Sequence, residues 1–352
     1  MKLTSSFLAF FICIFLNFTY ATPNWMVEQI QEDLNPYKVD KISRSSILKI
    51  FKESQESNQS NYFVLFELRD GQLSATSDNE QTQKFHHFDH LVSTLRDLIK
   101  GSNLPDLIFI MSLHDGWNKT LAVPVFSPCG FKGVPGTICI PDFEALGQRL
   151  GTKKEVEKGE ISWRKKIARG FWRGSTTGGN FTKSNCYDKP RSKLVIHSIQ
   201  NPRFLDARFT HYCQFEQPSF IREFQEKCPG APRASIRQHQ RYRYLIDVDG
   251  NACSWSRMYW ILLSRSVLLK QESPWYQWYY KAIKPWEHYI PLKNDVEDVV
   301  DKIIWAKQND KKARRIAQNA TDIVEEIFSK DAVQTYVVML LKSYAECLNN
   351  DE

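Results

Sequence analysis

A β-branched and aromatic run that ends in a turn triplet, with helical periodicity directly behind it, leaves a chain few ways to fold. Residues 242–269 hold such a run. Tyr242-Arg243-Tyr244-Leu245-Ile246-Asp247-Val248 reads as a buried strand, and Asp249-Gly250-Asn251 closes it in a tight turn. Trp255, Met258, Ile261 and Leu262 then recur at helical spacing behind Ser254 or Ser256 as a cap, and Ser266-Val267-Leu268-Leu269 supplies a second short strand. The pattern is one βαβ unit, so the loop after its first strand opens at the carboxyl edge of a parallel sheet.

Backbone N–H groups at a helix start hold anions. The turn and first helical turn, Asn251, Ala252, Cys253, Ser254, Trp255, Ser256 and Arg257, therefore form a candidate anion site. Arg257 adds a forked, permanently charged donor suited to a diphosphate, and the serine hydroxyls add neutral donors. The plainer alternative makes Arg257 a solvated helix arginine and the serines only caps.

A second buried strand, expected to be parallel, runs through Leu107-Ile108-Phe109-Ile110-Met111-Ser112-Leu113 and ends at His114-Asp115-Gly116-Trp117. Asp115 then stands just past a strand's carboxyl end, where open α/β domains place chemistry. A structural aspartate closing the turn before Gly116 is the alternative. A third strand, Gly170-Phe171-Trp172-Arg173, opens into Gly174-Ser175-Thr176-Thr177-Gly178-Gly179, small residues that let a phosphate approach the backbone.

Taken together, Phe171-Trp172-Arg173-Gly174-Ser175, Asn201-Pro202-Arg203-Phe204-Leu205-Asp206-Ala207, the strand and turn at 242–250, Ser266-Val267-Leu268-Leu269-Lys270 and Lys284-Pro285-Trp286-Glu287-His288-Tyr289-Ile290-Pro291-Leu292 resemble glycosyltransferase family 90. That family includes protein O-glucosyltransferases of the secretory pathway, fungal capsule-associated proteins and bacterial lipopolysaccharide-modifying enzymes. The resemblance is clearest over residues 106–292. It implies a GT-B-like α/β fold, two Rossmann-like domains with the active site in the cleft between them. It further implies an inverting transfer from a UDP-sugar, glucose or xylose, to a protein or glycan hydroxyl, with no metal and no other cofactor. On it Asp115 is the general base, Ser175 contacts the donor nucleotide, and Arg191 and Arg257 hold the diphosphate. Asp142, in Ile140-Pro141-Asp142-Phe143, and Trp117 are acceptor-side candidates. Asp247-Val248-Asp249 has the bare spacing of a metal motif and leaves that question open.

At 352 residues, 42% of them apolar, the chain is long enough for two domains with real cores. The formal charge of +7 suits anionic ligands as a class, nucleotide sugars and nucleic acid alike. Residues 1–21 carry one lysine, an apolar stretch from 7 to 18 and Thr19-Tyr20-Ala21, which reads as a cleaved signal peptide, with an uncleaved anchor as the alternative. The expected location is the lumen of the secretory pathway or the exterior, or a periplasm in a bacterium. The expected division is 22–160 as an acceptor-side domain, 161–325 as a nucleotide-sugar domain and 326–352 as a bracing helix.

Export would put the remaining cysteines, Cys129, Cys139, Cys186, Cys213, Cys228, Cys253 and Cys347, in an oxidising setting, with Cys129–Cys139 and Cys213–Cys228 as local pairings. Sequons stand at Asn58, Asn118, Asn180 and Asn319.

The rest of the chain reads as two short helices over 25–52, a hairpin at 62–76 and a helix over 85–100. His86 and His90 on that last helix have a metal-compatible spacing but no acidic partner, which favours a solvated face. A strand at 123–127, a surface loop over 128–138, a linker over 151–159 and a buried strand at 194–198 follow. The aromatic stretch 274–284 can stack bases, line a sugar or uracil pocket or fill an interdomain core. Three amphipathic helices close the chain. A non-catalytic glycan-binding protein of the same fold is the rival reading, and a nucleic-acid-binding module is a third.

Overall fold

The structure is a computed structural model that describes residues 22–57, 61–85, 88–147 and 150–349. The expected signal peptide, Asn58 and His86 lie outside the described residues.

Two five-stranded sheets organise the chain. The front sheet contains β1 (Phe63–Arg69), β2 (Gln72–Ser77), β3 (Leu107–Ser112), β4 (Val125–Ser127) and, after the short β5 (Cys129–Phe131), β6 (Thr137–Cys139). Its order is β2-β1-β3-β4-β6. The hairpin turns at Asp70-Gly71, and β3 is buried at every position, as its unbroken apolar run requires. It is not a purely parallel strand: β1 flanks it antiparallel and β4 parallel.

Residues 128–138 are a surface loop only at their centre, 132–136, and two strands flank it. Cys129, Ile138 and Cys139 are fully buried, and β5 pairs antiparallel with β11 (Trp275–Gln277) from the other half of the chain. The glycine that suggested a loop is what permits this pairing, because a Cβ on Gly130 would lie 2.5 Å from Cζ of Tyr276.

The back sheet is parallel throughout, in the order β12-β10-β9-β7-β8. Its members are β7 (Ile167–Ser175), β8 (Leu205–His211), β9 (Tyr242–Asp247), β10 (Val267–Gln271) and β12 (Ile290–Leu292). The βαβ unit forms as expected, with Trp255–Leu263 as the crossover helix. Two expectations fail here. The proposed linker is the helix Leu150–Lys158, and the proposed strand at 194–198 lies inside the helix Pro190–Gln200. Pro190 at the first helical position starts that helix, and an apolar run so short fits a helix as readily as a strand.

Two Rossmann-like halves meeting along a crevice is the GT-B-like arrangement, with a mixed sheet in the front half. Aromatics close the join. Trp278 is fully buried, with ring centroids 5.6 Å from Trp25, 5.9 Å from Phe328 and 4.8 Å from Tyr336. The centre of the stretch 274–284 is therefore interdomain core, while Trp275 lines a cavity. Burying side chains of this size stabilises by about 1.5–3 kcal/mol each. The partly exposed ion pair Lys281–Glu32 beside them adds at most about 1 kcal/mol. The last helix, Lys330–Ala345, returns to the front half, where the Tyr336 hydroxyl donates to Cys139 O at 3.0 Å and that of Tyr344 to Ile108 O at 3.1 Å. Among the described residues no helix is long and apolar enough to cross a membrane.

The expected disulfides are absent from the described residues, where all seven cysteines are free. Cys129 faces Cys253 across the join instead of Cys139, and the Cys213 thiol points at Thr176 O, 3.2 Å away.

Candidate active site

Within the back half the strands run second, first, third, fourth, fifth in chain order, so the winding reverses between β7 and β9. At such a reversal the connections leave in opposite directions and open a crevice at the carboxyl ends. A cavity of about 390 Å³ occupies it, lined by Ser175, Thr177, Arg191, Arg233, Ser256 and Arg257 among others.

Arg257 donates from Nη2 to Arg173 O at 2.8 Å, whereas its Nη1 is buried with no partner among the described residues. The fully buried Trp172 ring lies 5.9 Å from Arg257 and 5.7 Å from Arg191, an aromatic face shared by two guanidinium groups. Burial lowers the pKa of Arg257, and the nearby Asp247 charge opposes this. Burial and the charge on Arg257 bring Arg191 down to about 10, so Arg191 remains a cation at neutral pH. Burial raises Asp247, against the opposing pull of Arg257, Ser254 and Lys270. Burial and the charge of Asp247 lift Asp249 to about 7. These two carboxylates, whose spacing left a metal open, accept hydrogen bonds from Ser254 and Ser273.

The role expected for Arg191 needs correction. It donates to Asp249 O at 2.9 Å, Ser175 O at 2.9 Å, Val248 O at 3.0 Å and Thr177 Oγ1 at 2.6 Å. Most of its fork therefore ties the loops after β7 and β9 together, and Arg257 is the cation with spare donor capacity. Gly250 makes that tie fit: a Cβ there would stand 2.5 Å from Thr177 Oγ1 and 2.8 Å from Arg191 Nη2.

Across the cleft, Asp115 follows β3 as expected and is exposed in a second cavity of about 470 Å³. Tyr62, Phe85, His114, Trp117 and Trp275 supply most of the remaining wall. Trp117 is buried, with its ring 5.2 Å from that of Phe63, and so forms a fixed part of that wall. Asp142 does not line the cavity. It is fully buried and caps the helix Phe143–Leu146, accepting from the N–H groups of Glu144 and Ala145, which leaves no role in acceptor chemistry.

The stretch 251–257 also divides. Ser256 and Arg257 reach the cationic cavity, whereas Asn251 lines the Asp115 cavity. Ala252 and Cys253 are buried against Cys129, and the Trp255 ring packs 5.5 Å from Phe143. Ser254 turns back to Asp247 instead of capping. A helix exposes residues about four apart, so one turn cannot aim every side chain at one ligand.

Sequence reasoning missed Arg233, His239 and Trp260, all in the cationic cavity, and took Thr177 only as part of the loop 174–179. Burial takes His239 down to about 4, so it is neutral; its Nδ1 lies 2.9 Å from Ser235 O and its ring 5.0 Å from Trp260. These residues come from separate segments of the chain, so no local spacing joins them.

The back half thus sets cations at the switch point of a parallel sheet, and the front half sets the exposed carboxylate of Asp115 in a second cavity of this α/β protein. The chain belongs to glycosyl transferase family 90, whose model matches residues 21–351. It is 30% identical over 268 residues to protein O-glucosyltransferase 3 of Mus musculus, covering 72% of this chain and 50% of that one. It is 31% identical over 266 residues to protein O-glucosyltransferase 2 of Danio rerio, again covering 72% and 50%. The chain thus spans about half the length of these relatives. The UDP-glucose complex of Anabaena Alr3699/HepE superposes with a TM-score of 0.40 at 10% identity, over 74% of this chain and 69% of that one, too loosely to argue from.

Proposed function

We propose that the protein transfers a sugar, glucose or xylose, from a UDP-sugar to a hydroxyl of a protein or glycan, with inversion and without a metal. Asp115 takes the acceptor proton as the acceptor oxygen attacks the anomeric carbon, and the bond to the diphosphate breaks on the opposite face. Arg257, with Ser175, Ser256 and the helix start, stabilises the charge that collects on the departing UDP, while Arg191 holds the loops in place. A positioned base is worth about 10²–10⁴ in rate, and fixed electrostatic stabilisation of the leaving group is usually the larger contribution. Cationic side chains do here what a divalent ion does elsewhere.

One observation carries this reading: Arg257, with an unsatisfied guanidinium nitrogen, lines the back-half cavity, Asp115 stands exposed in the front-half cavity, and the contacts Asp115–Asn251–Gly178 link the loops beside them. The family, and the likeness to protein O-glucosyltransferase 3 of Mus musculus, support the chemistry. We further place the protein in the secretory lumen, outside the cell or in a periplasm, on the strength of its apolar leader. Incubation with a panel of radiolabelled UDP-sugars, with and without protein and glycan acceptors, tests the activity. UDP release from one or two sugars is expected, and release from none would defeat the proposal.

A further inference from the structure

Asn251 lies where the two halves of the site touch. Its Nδ2 is 3.0 Å from Oδ2 of Asp115, 136 residues away in the chain. Its Oδ1 accepts from Gly178 N at 3.2 Å and from Gln214 Nε2 at 3.0 Å. The orientation of the amide is dictated by its partners: an ionised carboxylate can only accept, and a backbone N–H can only donate. Gln214 is held with φ of 59°, a left-handed backbone that a glutamine adopts only under constraint, and from there its amide reaches Asn251.

These contacts join three connections. Asn251 belongs to the loop after β9, Gly178 to the loop after β7, and Gln214 to the segment after β8. Thr177, next to Gly178, lines the cationic cavity and is held by Arg191. Among the described residues Asp115 Oδ1 accepts no hydrogen bond, so the contact from Asn251 occupies one carboxylate oxygen and leaves the other for an incoming hydroxyl.

Accepting that Asp115 is the base, we infer that Asn251 is its positioning residue, an amide that fixes the rotation of the Asp115 carboxylate from loops that border the donor cavity. A merely structural Asn251 would serve the Gly178 and Gln214 donors alone. The two roles separate in the near-isosteric variant Asn251→Asp. It keeps the oxygen that Gly178 and Gln214 need but sets a second carboxylate against Asp115.

The experiment uses the whole protein and the UDP-sugar that it turns over, scoring UDP release for kcat and KM, with UDP affinity by calorimetry. Asn251→Ala is expected to lower kcat roughly 10- to 100-fold, the worth of one hydrogen bond to a charged group. Donor KM and UDP affinity should stay within about 2-fold, since Asn251 is off the cationic cavity. Asn251→Asp should fall at least as far as Asn251→Ala. An Asn251→Asp protein that turns over like wild type overturns the inference, as does an Asn251→Ala protein whose loss lies in UDP affinity instead of kcat. Asp115→Asn in the same assay separates the two layers. If it turns over normally, the base assignment falls; if it is inactive while the Asn251 variants work, only the positioning role falls. Wild-type protein that releases UDP from no sugar ends both.

Discussion

In the back half Arg191, Arg257, Asp247 and Asp249 crowd under the carboxyl edge of a parallel sheet, each shifted by burial and each held in check by its neighbours. In the front half one carboxylate, Asp115, stands exposed in a wall of aromatic rings. The back cavity thus carries unsatisfied positive charge suited to an anion, while the front cavity sets Asp115 beside His114 and Lys119 among aromatic rings. On the proposed function, the difference teaches how catalytic labour would be divided: where binding strength is needed, charges are buried and braced, and where a proton must move, the group stays solvated and reachable.

The sharpest way to break that division is at Asp115. Asp115→Asn should cut turnover by about 10²–10⁴ while leaving UDP affinity unchanged by calorimetry, because the front half does not hold the nucleotide. A parallel loss of UDP binding would show that the halves do not divide the work.

Next in size is Arg257→Ala, which should weaken UDP binding by about 10- to 100-fold through one lost charge-assisted contact. Arg257→Lys should recover only part of this, since it keeps a charge near Asp247 but loses the planar fork. Equal affinity in all three proteins would remove Arg257 from the donor site.

Gly250→Ala sharpens the comparison inside the back half. The added methyl meets Thr177 and Arg191, so the folded state should lose about 1–3 kcal/mol by overpacking, read from urea unfolding. No loss would mean the two loops are less tightly joined than the geometry implies.

The smallest effect concerns buried acidity in the front half. Burial raises Asp33 from the ordinary 3.8 to about 7, outweighing the hydrogen bonds from Cys139 N and Gln29. Between those values the folded state keeps a proton that the unfolded chain has released, so this contribution is complete below pH about 4 and is lost as pH rises through about 7. Asp33→Asn should flatten that part of the melting-temperature profile between pH 4 and 7. Asp249, also raised to about 7, contributes the same sign from the back half and would persist in the variant. An unaltered slope in Asp33→Asn would assign the whole effect to the back half.

Much of this was legible in local pattern. The hairpin at Asp70-Gly71, the βαβ unit around Trp255–Leu263 and the buried strand before Asp115 all rest on periodicity and turn chemistry within a few residues. The misreadings have two causes. Gly130 read as loop because its partner, Tyr276, is remote in the chain, and residues 194–198 read as strand because five residues do not separate the two periods. Arg191 was found but its task was not, since a guanidinium looks the same whether it grips a phosphate or four backbone and hydroxyl oxygens.

What the sequence determined alone, therefore, was the placing of two candidate groups: a carboxylate after one buried strand and an arginine in the first turn of a helix after another. Which of the neighbouring side chains reach the ligand, and which of them merely cap, fill or tie, was decided only when the two sheets met. Hydrogen bonds such as Asn251 to Asp115 join residues 136 apart, and a contact at that separation leaves no trace in local spacing.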